Sequence, residues 1–153
     1  VKATDAADFA IADFGAHYSL KDSTEMRTMA AQLRTVVDSC AQELAEFDPH
    51  EAYGDFHPAT MALMRHYQDY VATKLDSVIY YKLEYNRLLR TPVSFAYEDR
   101  AIRDSQQALQ MHCLNRSMKI DTEYRRTEAD LISKMVTAQK AFARENEIEL
   151  RGI

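Results

Sequence analysis

Leu75-Asp76-Ser77-Val78-Ile79-Tyr80-Tyr81-Lys82-Leu83-Glu84-Tyr85-Asn86-Arg87-Leu88-Leu89-Arg90-Thr91-Pro92 is the stretch on which the architecture turns. Met64, Val71, Val78 and Tyr85 recur every seven residues, accompanied by Tyr67, Leu75, Tyr81 and Leu88. This spacing lays one apolar seam along a helix over roughly residues 60–90. Pro92 then leaves two alternatives. It kinks a continuing helix, or it opens a new one with Thr91 as cap and Pro92 at the first helical position. A kink makes the molecule long, and a restart makes it a compact bundle.

Outward from Pro92, the chain holds neither glycine nor proline from Val93 to Arg151. One helix of that length would reach about 85–90 Å at 1.5 Å per residue, too long for a compact bundle. Ile120-Asp121-Thr122-Glu123 offers a restart, because Asp and Thr favour caps, and Asn115 and Ser117 weaken the helix before it. The expected elements are therefore helices over about 93–118 and 122–150. Tyr124, Leu131, Met135, Ala138 and Phe142 form the apolar face of the second.

Upstream, Asp48 to Pro58 contains two of the three prolines and Gly54, so it reads as the main connection. Before it, Met26, Leu33, Cys40 and Phe47 fall seven apart, with Met29, Val36 and Val37 filling the same face. Asp22, followed three residues later by Glu25, supplies a capping box and predicts a helix over about 22–47. Residues 4–17 form a short amphipathic helix with Phe9 and Phe14 as its large apolar residues and acidic charges on its polar side. The expected fold is all-α: an elongated antiparallel helical coiled coil, or a helical bundle, of three to four long helices plus a short N-terminal helix. A single helical domain over residues 1–153 follows from the length, which buries roughly 70% of its unfolded surface in one core.

Composition agrees with that class. Three glycines and three prolines in 153 residues cannot supply the turns of an all-β fold. Nor do they build a glycine-rich phosphate loop. No apolar run approaches the ~20 residues of a membrane span. The N-terminal Val1-Lys2-Ala3-Thr4-Asp5 lacks the pattern of a signal peptide. Cys40 and Cys113 lie far apart with no metal or redox spacing, which points to two buried thiols in a reducing, cytoplasmic compartment. Net charge is −5, divided into −7 over residues 1–60 and +2 over residues 61–153. A nucleic-acid partner is not expected from that balance.

Enzymatic chemistry finds no foothold. No Glu has a His three residues on, which excludes the di-iron bundle pattern. Asp13 and His17 read as a surface pair, and His66 and His112 lack an acidic partner placed for a triad. The thiols have no basic activator nearby in sequence. His50, Glu51, Asp55 and His57 form the one metal-ligating candidate, with donors that suit Zn²⁺ or Fe²⁺. Their spacing matches no established zinc pattern, and a polar turn capping helices is the plainer reading. No catalytic residue and no cofactor is expected.

Tyr67, Tyr70, Tyr80, Tyr81 and Tyr85 crowd one helix, where packing against a partner helix or subunit outweighs an aromatic ligand cage. Met64, Tyr67, Val71, Leu75, Val78, Tyr81 and Tyr85 therefore form a core or dimer stripe. Among the cations, Arg116, Lys119, Arg125 and Arg126 surround the expected reversal at Asp121, and Lys82, Arg87 and Arg90 cluster before Pro92. At a helical tip such a cluster attracts anionic head groups by about 1 kcal/mol per cation. A solvated tip laced with i,i+4 ion pairs accounts for it equally well.

Leu75 to Tyr85 resembles the apolar spacing in the second helix of BAR domains. Glu84-Tyr85-Asn86-Arg87-Leu88-Leu89, Tyr97-Glu98-Asp99-Arg100 and Gln106-Gln107-Ala108-Leu109 are similar to that helix in the sorting-nexin branch. Tyr124-Arg125-Arg126, through Leu131 to Phe142-Ala143-Arg144-Glu145, resembles the third helix of the same branch, so the likeness covers about residues 64–150. The resemblance implies an antiparallel homodimer that senses or scaffolds curved anionic membranes. By position, Arg116, Lys119, Arg125 and Arg126 become tip residues, and Lys82, Arg87 and Arg90 become concave-face residues. The alternative is a compact four-helix adaptor or assembly subunit that binds protein partners and no lipid.

Overall fold

Asp22 opens the second helix as its sequence predicts. Its backbone is extended, and its carboxylate accepts the N–H groups of Thr24 at 2.8 Å and Glu25 at 2.9 Å. Glu25 closes the box by accepting the Asp22 N–H at 3.3 Å. Such a cap stabilises a helix start by about 1 kcal/mol. The computed structural model describes residues 2–17, 22–47, 53–92 and 99–148, and among these there are helices and no strand. The helices are α1 (Lys2–His17), α2 (Ser23–Glu46), α3 (Phe56–Asp69), α4 (Leu75–Arg90) and α5 (Arg100–Glu145). A π-helical turn, Tyr70–Lys74, joins α3 to α4 without a break in the helical path.

Each early helix buries a face narrower than the heptads suggest. In α1 the buried side chains are Ala3, Thr4, Ala7, Ile11 and Phe14, whereas Phe9, expected on the apolar side, is 73% exposed. In α2 they are Met26, Ala30, Leu33, Val37, Cys40 and Ala41. Val36 and Phe47 fall outside that set, and Phe47 lies beyond the last helical residue. A straight helix drifts about 20° per heptad, so a strict seven-residue stripe rotates away from its partner within a few turns.

The π turn was not legible in the heptads. The Leu75 N–H reaches back to the carbonyl of Tyr70, five residues earlier. The Thr73 hydroxyl donates to the Asp69 carbonyl at 2.8 Å, taking the acceptor that its own amide would use in an α-helix. The wider turn shifts α4 around the axis relative to an unbroken continuation of α3. Tyr70 and Val71, side by side, are both buried there.

Pro92 does not kink a helix, because α4 ends before it and Pro92 itself is not helical. α4 stops at Arg90, and Thr91 takes the extended backbone (φ −73°, ψ 119°) that a residue before proline requires. Gln106, from α5, donates to the freed carbonyls of Leu88 at 2.9 Å and Thr91 at 3.3 Å, so α4 is capped in trans. The start expected at residue 93 lies outside the described residues.

The expected break at 120–123 is absent. α5 is one helix of 46 residues, roughly 69 Å long at 1.5 Å per residue. Local preference for a cap at Asp121 and Thr122 is overridden by packing. Tyr124, two residues on, is buried with its ring 4.8 Å from that of His66 and 4.3 Å from that of Tyr70. Lys119 and Glu123 bridge the same turn at 3.8 Å. α5 ends at Glu145, short of the end expected near residue 150, and Glu147 just beyond it takes a positive φ of 55°.

α5 runs antiparallel to α3 and α4. Gln106 meets Leu88, Arg116 meets Tyr81, Tyr124 meets His66 and Tyr70, and Phe142 stacks on Tyr53 at 4.9 Å. α1 and α2 pack on each other, α2 lies against α3, the π turn and α4, and α1 lies against α3. Arg34, from α2, donates to the Val71 carbonyl at 3.1 Å and to Asp76 at 2.7 Å, pinning α2 across the π turn. The shared core therefore centres on Leu63, Met64, Tyr67, Val71, Leu75 and Val78.

Candidate functional site

Four elements meet at the π turn, and their polar groups gather there. Glu128, on α5, is 5% exposed. One of its carboxylate oxygens accepts the Tyr124 hydroxyl at 2.9 Å and the other accepts the Arg125 guanidinium at 2.9 Å. Arg125 also lies 4.0 Å from Asp8 of α1, and its guanidinium sits 5.4 Å over the Tyr124 ring. His66 Nε2 donates to the Tyr124 carbonyl at 3.2 Å. One guanidinium thus serves two carboxylates and joins α1 to the middle of α5.

The electrostatics follow from that crowding. Burial, then the charge and hydrogen bonding of Glu128, raise the Asp8 carboxyl above its usual value, and Arg125 opposes the shift. Burial and the neighbouring carboxylates push the Tyr67 and Tyr124 hydroxyls well above the ordinary tyrosine range, so both remain neutral donors.

Beside this network lies a cleft of about 220 Å³. Ile11, Phe14 and Val78 are among its apolar lining residues, and Gly15, Tyr70, Tyr124 and Arg125 line it as well. Asp121 is the acidic residue of the lining. It stands four residues before Arg125, the spacing of a helical ion pair, yet the two do not pair because Arg125 turns to Glu128 and Asp8. Among the described residues Asp121 makes no hydrogen bond. Burial raises its carboxyl above the usual value, against the pull of Lys82 and Arg125.

The expected basic tip is the midpoint of α5, because the helix does not reverse there. At about 100° per residue Arg125 projects roughly opposite to Arg116, with Lys119 and Arg126 on the outer side. Arg116 donates to the Tyr81 hydroxyl at 3.4 Å, Lys119 pairs with Glu123, and Arg125 is held inward. On α4, Arg87 pairs with Glu84 at 2.5 Å, Lys82 is half-buried, and Arg90 is exposed in the last turn. These cations do not form the single tip that the reversal at Asp121 predicts.

Met64, Tyr67, Val71, Leu75 and Val78 are buried inside the chain, and Tyr81 and Tyr85 are half-buried. The stripe is occupied as core. Of the metal-ligating candidates, His50 and Glu51 lie outside the described residues. Asp55 precedes α3 without a side-chain cap, and His57 stacks on Phe47 at 6.1 Å. Among the described residues no group of three or more His, Cys, Asp or Glu converges on a metal-sized site. Cys40 and Cys113 are free, and burial raises both thiols above their ordinary value.

Sequence reading missed Asp8, Asp121 and Glu128 as a group because Asp8 comes from α1 and the other two from α5, far along the chain. The one local signal was the Asp121–Arg125–Glu128 spacing. No protein-family model, curated protein or solved structure matches the chain. Among the described residues no helix is long and apolar enough to cross a membrane.

Proposed function

We propose that the chain is a non-enzymatic helical interaction module, an elongated antiparallel assembly that self-associates through the distal half of its α4–α5 pair. The observation that carries this reading is where apolar surface is left over. Tyr80, Leu89, Ile102, Leu109, Met111 and Met118 are six of the ten large exposed hydrophobic residues among those described. Leu89 lies in the last turn of α4, Tyr80 nearer its start, and the other four in the first half of α5.

Their spacing is ordered. Ile102 and Leu109 are one heptad apart, and so are Met111 and Met118. At about 100° per residue the two pairs lie on roughly opposite flanks of α5. With α2 lying along α4, the surface left over is on α5, and apolar flanks there suit the same surface of a second copy, which would cover them as α1 and α3 cover the helix around Tyr124. The dimer expected from the sequence is kept here, with its seam moved from the Met64–Tyr85 stripe to these flanks. The lipid contact implied by the BAR resemblance draws less support, since the basic residues are distributed along the shaft and interleaved with Glu84, Asp104 and Glu123.

Light scattering across a concentration series tests the proposal. The expected mass is twice 17.6 kDa at high concentration, falling toward 17.6 kDa on dilution. Leu109→Glu combined with Met118→Glu is expected to weaken association by at least about tenfold, or 1.4 kcal/mol. A monomer throughout, or a dimer indifferent to both substitutions, overturns it. Sedimentation with anionic vesicles at low salt, where charge attraction is least screened, is expected to leave the protein in the supernatant.

A further inference from the structure

The cleft beside the π turn is separate from the surface proposed for self-association, and its chemistry is unusually lopsided. Its charged lining groups are Asp121 and Arg125. Arg125 is already engaged by Glu128 at 2.9 Å and stands over the Tyr124 ring. Asp121 is half-buried and makes no hydrogen bond among the described residues, although its oxygens are not sealed from solvent. A half-buried carboxylate is ordinarily satisfied by a donor, because an unmet acceptor in such a place costs free energy. Lys82 and Arg125 act on it through space, yet burial outweighs them and its charged form remains under-compensated. A cationic donor is the ligand group that this open acceptor suits.

The rest of the cleft describes what that donor is attached to. Ile11, Phe14 and Val78 offer apolar surface, and the rings of Tyr70 and Tyr124 stand beside it. At about 220 Å³ the space lies below the ~300–1,000 Å³ of pockets for drug-sized ligands, so it takes a body of a few carbons. The π turn that positions Tyr70 belongs to a class of helix irregularity often found at functional sites.

We propose that this cleft binds a small organic amine, with its ammonium on the Asp121 carboxylate and its short apolar body against Ile11, Phe14 and Val78. The amine, as a cation, donates hydrogen bonds to the one lining carboxylate left unmet by the fold. An anion of the same shape would face Asp121, and a neutral alcohol would gain no charge pairing.

Isoamylamine, isoamyl alcohol and isovalerate share one branched carbon skeleton and differ in charge, so they separate recognition of the ammonium from filling of apolar space. Titration at neutral pH, followed by amide chemical shifts, is expected to show saturable binding of isoamylamine with a Kd of about 1 mM. Shifts should concentrate at Gly15, Asp121 and Tyr124. The alcohol and the acid are expected to bind at least about tenfold more weakly. Asp121→Asn removes the charge from a place where nothing in the fold requires it, and should lose amine affinity by at least about tenfold while melting no lower than the parent. Gly15→Leu is a second probe, because a Cβ at Gly15 meets nothing within 4 Å. Its side chain should obstruct the cleft and abolish amine binding with the fold intact. Absence of saturable amine binding to the parent, equal binding of the three compounds, or unchanged affinity in both variants overturns the proposal. None of these outcomes bears on the oligomeric state, so the two proposals fail separately.

Discussion

Two halves of the same helical pair are built from similar residues and end in opposite states. Around Tyr124, α5 is flanked by α1 and α3, and Met64, Tyr67, Val71 and Leu75 are almost fully buried. Beyond Tyr81, α4 and α5 hold each other through Gln106 and Arg116, and Leu89, Ile102, Leu109 and Met118 face solvent. An apolar heptad is therefore not a core by itself. It becomes one where a third or fourth helix lies close enough to remove it from water, and it remains a surface where none does.

The sharpest way to break that comparison is to truncate one leucine in each half. Leu75, with no exposed surface, should lose about 3–4 kcal/mol on substitution by alanine, from lost transfer energy plus the cavity. Leu109→Ala should stay within about 0.5 kcal/mol. Urea denaturation at a concentration low enough to keep the protein monomeric measures both. Equal costs would mean that the distal half is as tightly packed as the centre.

A smaller effect probes the polar network that distinguishes the centre. Arg125→Met leaves Glu128 buried without its guanidinium, and should destabilise by about 2 kcal/mol, less than a fully buried pair because the arginine is 54% exposed. Hydrogen exchange should then show the α1 amides opening first, since Arg125 pairs with Asp8 of α1. Uniform loss of protection would place the energy elsewhere.

Ser117 carries a buried hydroxyl with no hydrogen-bond partner among the described residues. Ser117→Ala should be neutral or stabilise by up to about 1 kcal/mol, because an unmet polar group is removed while the close approach is kept. A clear loss of stability would reveal a hidden acceptor.

The smallest effect is a pH dependence. Asp8 and Asp121 have carboxyls raised chiefly by burial, so above the usual value of 3.8 the folded state binds more protons than the unfolded chain. Stability contributed by those protons is present below 3.8 and is lost as pH rises through the raised values. Denaturation midpoints compared at mildly acid and neutral pH should show a steeper decline for the parent than for Asp121→Asn. Identical slopes would show that Asp121 titrates as a solvated carboxyl.

Much of this was readable from particular residues. Asp22 and Glu25 announced the start of α2, and the 3–4 spacing of Met26, Leu33, Val37 and Cys40 marked its buried face. The Met64–Val78 stripe was readable as apolar, though its place inside the chain was not. The restart at Asp121 was misread because cap preferences are local, worth about 1 kcal/mol, while Tyr124 beside it is clamped by His66 and Tyr70 from another helix. The basic tip was lost with that restart. The cleft had no signature at all, since Gly15, Tyr70 and Asp121 are far apart in the chain.

By itself, the sequence determined that the protein is helical, because six glycines and prolines leave long apolar-periodic runs uninterrupted and supply too few turns for sheets. It also determined where α2 begins, at the cap of Asp22. Only the tertiary structure decided that α5 passes through Asp121 unbroken, that α3 enters α4 by a π turn, and which apolar stripes are covered. The reason is one of scale. Caps and periodicity act within a few residues, whereas continuity and burial are set by which helix lies alongside, and that partner is many residues away in the chain.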